Sequence, residues 1–204
     1  MGISDSEGFA GARADPSSKL DLRQVRNVSA WDPALEPRNW GSFDIEPFDC
    51  WARRNHEALL HIHPEICEQW LYRHWLQSPM CFIELNNLRW QLAEWEPGYF
   101  LTAVGTYWGA DDFDAEFDFK TFYRQGGTSR HRTAVALDSG AWDYAPIVLA
   151  TEQGFISTQG NYVNRPFLLV EGHQRRRYLN ALMSRGKALE RQRVFVLTQQ
   201  PSTA

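Results

Sequence analysis

Apolar residues follow two rhythms along this chain. Over residues 49–77 they recur at helical spacing. Residues 49–60, with Trp51, Ala58 and Leu59 among the apolar positions and Asp49 as a cap, predict one helix. His61-Ile62-His63 breaks it. Pro64 opens a second helix over 64–77, with Pro in its first turn, Glu65 near the positive end, and Ile66, Trp70 and Leu71 on one side. The rhythm then shortens. Residues 80–85 predict a strand, Leu88, Trp90 and Leu92 alternate with polar residues as a second, and residues 99–105 predict a third. Over 111–122 acidic residues alternate with Phe, which fits a strand with one solvated face. Residues 20–48 are dense in Pro, Trp and Asp and predict an irregular, ordered stretch, because Pro blocks regular elements while Trp favours burial.

The grammar changes again after Gly126-Gly127-Thr128-Ser129-Arg130. A short helix over 129–137 ends at Ser139-Gly140, and residues 146–150 form a compact apolar strand. A loop or hairpin over 154–165 leads to a second apolar strand over 166–170. Glu171-Gly172 turns the chain into a helix over 173–185, whose inward face carries Tyr178, Leu179 and Leu182. Gly186 stops that helix, and a last strand covers 193–198. The expected fold class is α/β with a small mixed sheet. The expected organisation is a disordered leader (1–19), a Trp-rich α/β elaboration packed on the core (20–125), the core (126–198) and a loose tail (199–204).

The strand, Gly turn and Arg-bearing helix at Glu171 carry the most chemistry. Helix-start N–H groups and the helix dipole favour an anion, and Gly172 removes the Cβ that would keep a ligand from the backbone. Arg175 lies in the first turn, where its planar fork suits phosphate. Gln174 and Arg176 flank it. His173 is placed to donate to the same anion or shuttle a proton, and Glu171 to assist proton or metal chemistry. The site expected from these residues is therefore Glu171 and His173 as catalytic groups, with Gly172, His173, Gln174, Arg175 and Arg176 binding phosphate or nucleotide, and no resident metal. The same residues also fit purely local roles in a turn and on a solvated helix face.

Pro146-Ile147-Val148, then 167–175 with its Glu-Gly-His-Gln-Arg turn, then Val194-Phe195-Val196-Leu197 together resemble the ParB/sulfiredoxin-like superfamily, over about 70 of the 204 residues. The resemblance implies a nucleotide cofactor, and the acidic run of Asp111, Asp112, Asp114, Glu116 and Asp118 offers a place for its magnesium. It also implies a phosphotransferase or nucleotide hydrolase, closest in wording to the Asp-Gly-His-Thr-Arg turn of free-serine kinases. Glu replaces Asp and Gln replaces Thr here, so a hydroxyl that could touch phosphate is lost. Sulfiredoxin chemistry requires a Cys before the His-Arg of its turn, and no Cys follows Cys81. ParB proteins carry a helix-turn-helix after the core, whereas seven residues follow Leu197. Two alternatives stay open: a non-catalytic protein-interaction or regulatory module, and a metal-dependent nuclease.

Composition narrows the partners. The net charge of −4 conceals an asymmetry: residues 31–120 hold 6 Lys/Arg against 16 Asp/Glu, and residues 121–204 hold 11 against 5. Overall acidity points away from a general nucleic-acid coat. The basic end suits a local phosphate site or docking against the acidic middle. The expected partner is a nucleotide or phosphorylated small molecule, with a protein partner under the interaction reading. No apolar run approaches the roughly 20 residues of a membrane span. Three cysteines without a CxxC pair, and a first stretch lacking an apolar signal core, predict a cytoplasmic protein. His56, His61, His63, Cys67 and His74 fall close together without a zinc-ligand spacing. Arg175-Arg176-Arg177 point three ways on a helix, so they cannot all serve one phosphate.

Overall fold

The computed structural model describes residues 19–25, 28–75, 77–111, 113–123, 132–139, 142–188 and 190–199. The expected leader up to residue 18, the Gly-rich segment at 126–130 and the tail beyond Gln199 lie outside them. In chain order the elements begin with β1 (Leu20–Asp21), α1 (Leu22–Val25), a 3-10 turn (Pro33–Leu35), α2 (Phe48–Arg54), α3 (His56–Leu59) and α4 (Pro64–Ile66). This last helix runs into a π-helical stretch (Cys67–Tyr72). They continue with β2 (Leu88–Trp95), α5 (Pro97–Ala103), β3 (Val104–Gly105), α6 (Ala115–Tyr123), α7 (Arg132–Asp138) and β4 (Ile147–Ala150). Then come β5 (Phe155–Ile156), β6 (Tyr162–Val163), β7 (Phe167–Glu171), α8 (His173–Met183) and β8 (Gln192–Gln199). The architecture is mixed α/β with two mixed sheets. No helix among the described residues is long and apolar enough to cross a membrane.

The larger sheet has the order β2-β8-β4-β7-β3. β2 is antiparallel to β8, β8 parallel to β4, β4 antiparallel to β7, and β7 parallel to β3. The middle of each central strand is apolar because both faces are covered there. Ile147, Leu149, Leu168, Val170, Phe195 and Leu197 point into one core with Trp31, Trp51, Ile66, Trp70 and Met80. The alternate residues Val148, Leu169, Val194 and Val196 point into the other, with Phe100, Leu137, Tyr178 and Leu182 from α5, α7 and α8. The sheet therefore takes strands from both sides of residue 125. The smaller sheet, β1-β5-β6, lies beside its β3 edge, where a Cβ on Gly105 would meet Val163 at 2.8 Å.

In the Trp-rich layer the indoles bind backbone and side-chain oxygens as they are buried. Trp31 Nε1 donates to the Ile83 carbonyl (3.1 Å), Trp51 Nε1 to the Leu35 carbonyl (2.6 Å) and Trp70 Nε1 to Ser78 Oγ (2.9 Å). Side chains of α4 and the π-helical stretch join this layer to the approach of β4. Gln69 Nε2 donates to the Ala145 carbonyl, and the Ala145 N–H donates to Glu65 Oε1, each at 2.7 Å.

Several local expectations are corrected. Residues 80–85 form turns: Met80, Ile83 and Leu85 are buried, but their backbone bonds to Ala30 and Trp31 in place of a ladder. Residues 97–103 are helical, since Pro97 presets the first turn and Phe100, Leu101 and Val104 reach the core at helical spacing. The acidic stretch is helical from Ala115. Asp114 Oδ1 accepts the Phe117 N–H at 2.9 Å, and Phe119 and Phe122, three residues apart, both meet Tyr178. The first predicted helix divides at Asn55, and its cap position is Pro47. The second becomes α4 followed by the π-helical stretch.

Candidate functional site

β7 ends at Glu171, where its register with β4 shifts between Ile147 and Val148. Gly172 follows at φ 109°, a conformation L side chains rarely adopt, and a Cβ there would lie 3.0 Å from Pro146 Cβ. The backbone thus favours glycine, and any side chain would also press on Pro146. The turn aims the N-terminus of α8 at a cavity of about 480 Å³ lined by Arg73, His74, Arg132, Thr133, Asp143, Glu171, His173, Gln174 and Arg175. Gly172 has no side chain to cap the first-turn N–H groups of this 11-residue helix.

Five of these side chains form a line of polar contacts. Thr133 Oγ1 lies 3.4 Å from Asp143 Oδ2, and Arg175 Nε donates to Asp143 Oδ1 at 2.8 Å. Arg175 Nη1 is 3.5 Å from Glu171 Oε1, whose other oxygen lies 3.6 Å from His74 Nε2. The Arg175 and Asp143 side chains are each 9% exposed, so this pair is held away from bulk water. His173 stacks on Trp108 (centroids 5.1 Å apart, 28° between planes) and meets Tyr107 edge-on. Gln174 is exposed at the rim.

Guanidiniums from three separate segments surround one ring. Arg73, Arg132 and Arg175 place Cζ at 4.6, 5.2 and 5.7 Å from the Tyr144 centroid. Tyr144 donates to Glu68 Oε1 at 2.7 Å and accepts from Arg73 Nη2 at 2.8 Å. Burial, and then the bond to Glu68, hold its phenol above the ordinary tyrosine range. Arg132 is exposed and has no carboxylate partner among the described residues. Such clustering of cations around a tyrosine face favours an anion that shares them.

The expected site residues are thus divided. Glu171, His173, Gln174 and Arg175 line the cavity beside Gly172, and Arg176 does not. Arg176 is 1% exposed, and its Nη2 donates to the carbonyls of Leu101 and Val104 and to Asp111 Oδ1 at 2.7 Å. Arg177 turns a third way, to Asp118 at 2.6 Å. The acidic stretch likewise meets arginines, with Asp111 bound by Arg165 and Arg176 and Glu116 by Lys120 and Arg185. Among the described residues no three His, Cys, Asp or Glu side chains gather as a metal site. In the histidine-rich stretch, His61 contacts the Leu85 carbonyl and His63 accepts the Glu65 N–H. Burial pushes the Cys67 thiol up to about 12.

Sequence reading missed Arg73, Arg132, Thr133, Asp143 and Tyr144 as site residues and considered His74 only as a metal ligand. Nothing local marks them: the π-helical stretch delivers Arg73 and His74, and the approach to β4 delivers Asp143 and Tyr144. Comparison with known proteins adds no assignment, since no family model, no curated protein and no solved structure matches this chain.

Proposed function

We propose that the cavity at the start of α8 binds the phosphate of a nucleotide or phosphorylated small molecule, and that the protein transfers or hydrolyses phosphate there. The carrying observation is the convergence of Arg73, Arg132 and Arg175 on Tyr144, beside the uncapped α8 N-terminus. Fixed donors and a helix dipole around one cavity are what an anion with spread charge requires. A volume of about 480 Å³ suits a nucleotide-sized ligand. Asp143 and Glu171 hold Arg175 from opposite sides and so orient its remaining donors. In this reading Glu171 and His173, next to the helix start, move the proton. The β7-Gly172-α8 succession, with β4 beside β7 and β8 next in the sheet, supports the ParB/sulfiredoxin-like reading of this core. Magnesium is the ion expected to accompany nucleotide phosphates in such chemistry.

The test is a thermal-shift panel of ATP, ADP, CTP, GTP and inorganic phosphate, with and without magnesium. A ligand at a hundred times its dissociation constant adds about 2.7 kcal/mol of stability. Arg132→Ala leaves the buried pairs intact and is expected to reduce that shift, and Arg175→Ala to remove it. Release of phosphate from the shifting nucleotide then tests turnover. No shift with any of these at millimolar concentration would overturn the proposal.

A further inference from the structure

The cavity at the start of α8 is nearly balanced in charge. Arg73, Arg132 and Arg175 line it together with Asp143 and Glu171, and Arg73 also meets Glu68 at 3.1 Å. Among the described residues three guanidiniums therefore stand beside three carboxylates. A doubly charged anion is drawn into such a balanced site only by a further positive charge. Two imidazoles line the cavity and could supply it. His173 lies against the Trp108 ring. His74, just beyond the π-helical stretch, places Nε2 3.6 Å from Glu171 Oε2, the carboxylate oxygen that Arg175 does not take. The other charged groups around it are Arg73 beside it in the chain, Arg132 of α7, Asp143 before β4 and Arg175 of α8.

Glu171 favours a protonated His74, and the three arginines oppose it. A bound anion offsets that opposition, so anion and proton favour each other. We infer that His74 takes up one proton from solvent as the anion binds, which rests on the phosphate reading of this cavity. The charged imidazole also engages Glu171 more strongly and releases Arg175 Nη1 toward the ligand. The sign follows from linkage. Binding raises the His74 value, so affinity is full below the value of the free site. It is lost as pH rises toward the higher value of the occupied one.

Calorimetric titration of the full chain with sulfate tests this, because sulfate stays a dianion across the range in which histidine titrates. Native affinity is expected to fall roughly tenfold between about pH 5 and 8, with proton uptake seen as a dependence of the enthalpy on buffer. His74→Gln is expected to bind weakly at every pH without proton uptake. His74→Lys, whose charge is fixed in this range, is expected to stay tight throughout. His173→Gln changes the affinity and keeps the slope. Circular dichroism checks that each variant is folded. A native affinity independent of pH, or a slope that survives in His74→Gln, overturns the role of His74. A native chain that binds neither sulfate nor phosphate at any pH overturns the phosphate reading itself, and this inference with it.

Discussion

Arg175 and Arg176 are neighbours in the chain and differ in what their replacement should cost. Arg175 lines the cavity, and its loss is read in ligand affinity. A charge-assisted bond to an anion contributes about 1.5–3 kcal/mol, so Arg175→Ala is expected to weaken binding at least tenfold. Arg176 is buried against two carbonyls and Asp111. Arg176→Leu should therefore cost about 1–3 kcal/mol of stability, because it takes a donor from buried carbonyls while Asp111 keeps Arg165, and the variant that folds keeps its affinity. Urea denaturation and ligand titration on the two variants separate these outcomes. Gly172→Ala combines a positive φ with a 3.0 Å approach to Pro146. A loss of about 1–3 kcal/mol is expected, seen as a lower urea midpoint. The linear sequence marks Gly172 and Arg175 because a turn glycine and a first-turn arginine are local signals. It cannot separate Arg175 from Arg176, since only the packing of α8 decides which way each side chain leaves the helix.

Among the elements, α8 is held by the segment before α6. Asp111 takes guanidiniums from both Arg165 and Arg176, tying the β3 exit to β7 and α8. Burial opposes ionisation of Asp111, but the two arginines outweigh it and hold its carboxyl below the ordinary range. A lowered folded-state value means the clamp is fully stabilising above the unfolded aspartate value of about 3.9 and is lost as pH falls through the lower folded one. Urea midpoints of the native chain should then fall more steeply below about pH 4 than those of Asp111→Asn, which lacks that titration. Equal slopes would remove the clamp from the account. The acidic segment also shows why periodicity misled. Over 111–118 Phe and acid alternate with period two, yet the Asp114 cap and the meeting of Phe119 and Phe122 with Tyr178 select a helix. Long-range packing outweighs a short repeat.

In the molecule as a whole, one sheet divides two cores, and neither core closes without both ends of the chain. Ile147, Leu149, Leu168, Val170, Phe195 and Leu197 are covered by the Trp-rich layer, and β2 and β3 form the sheet's edges. A fragment spanning 126–204 would expose that face and lose both edge strands. It is expected to show no cooperative thermal transition, whereas the full chain melts as one unit.

The sequence by itself determined the strand-turn-helix over 166–185 and the apolar strands at 146–150 and 193–198. These follow from backbone preference and from burial on both faces, which act within a few residues. The composition of the cavity was decided by tertiary structure alone. Arg175 meets Asp143 across 32 residues, and Arg73 meets Tyr144 across 71. Charges brought together at such separations leave no periodic trace in the chain. Their meeting depends on how the Trp-rich layer seats against the sheet, through contacts such as Gln69 and Glu65 with Ala145.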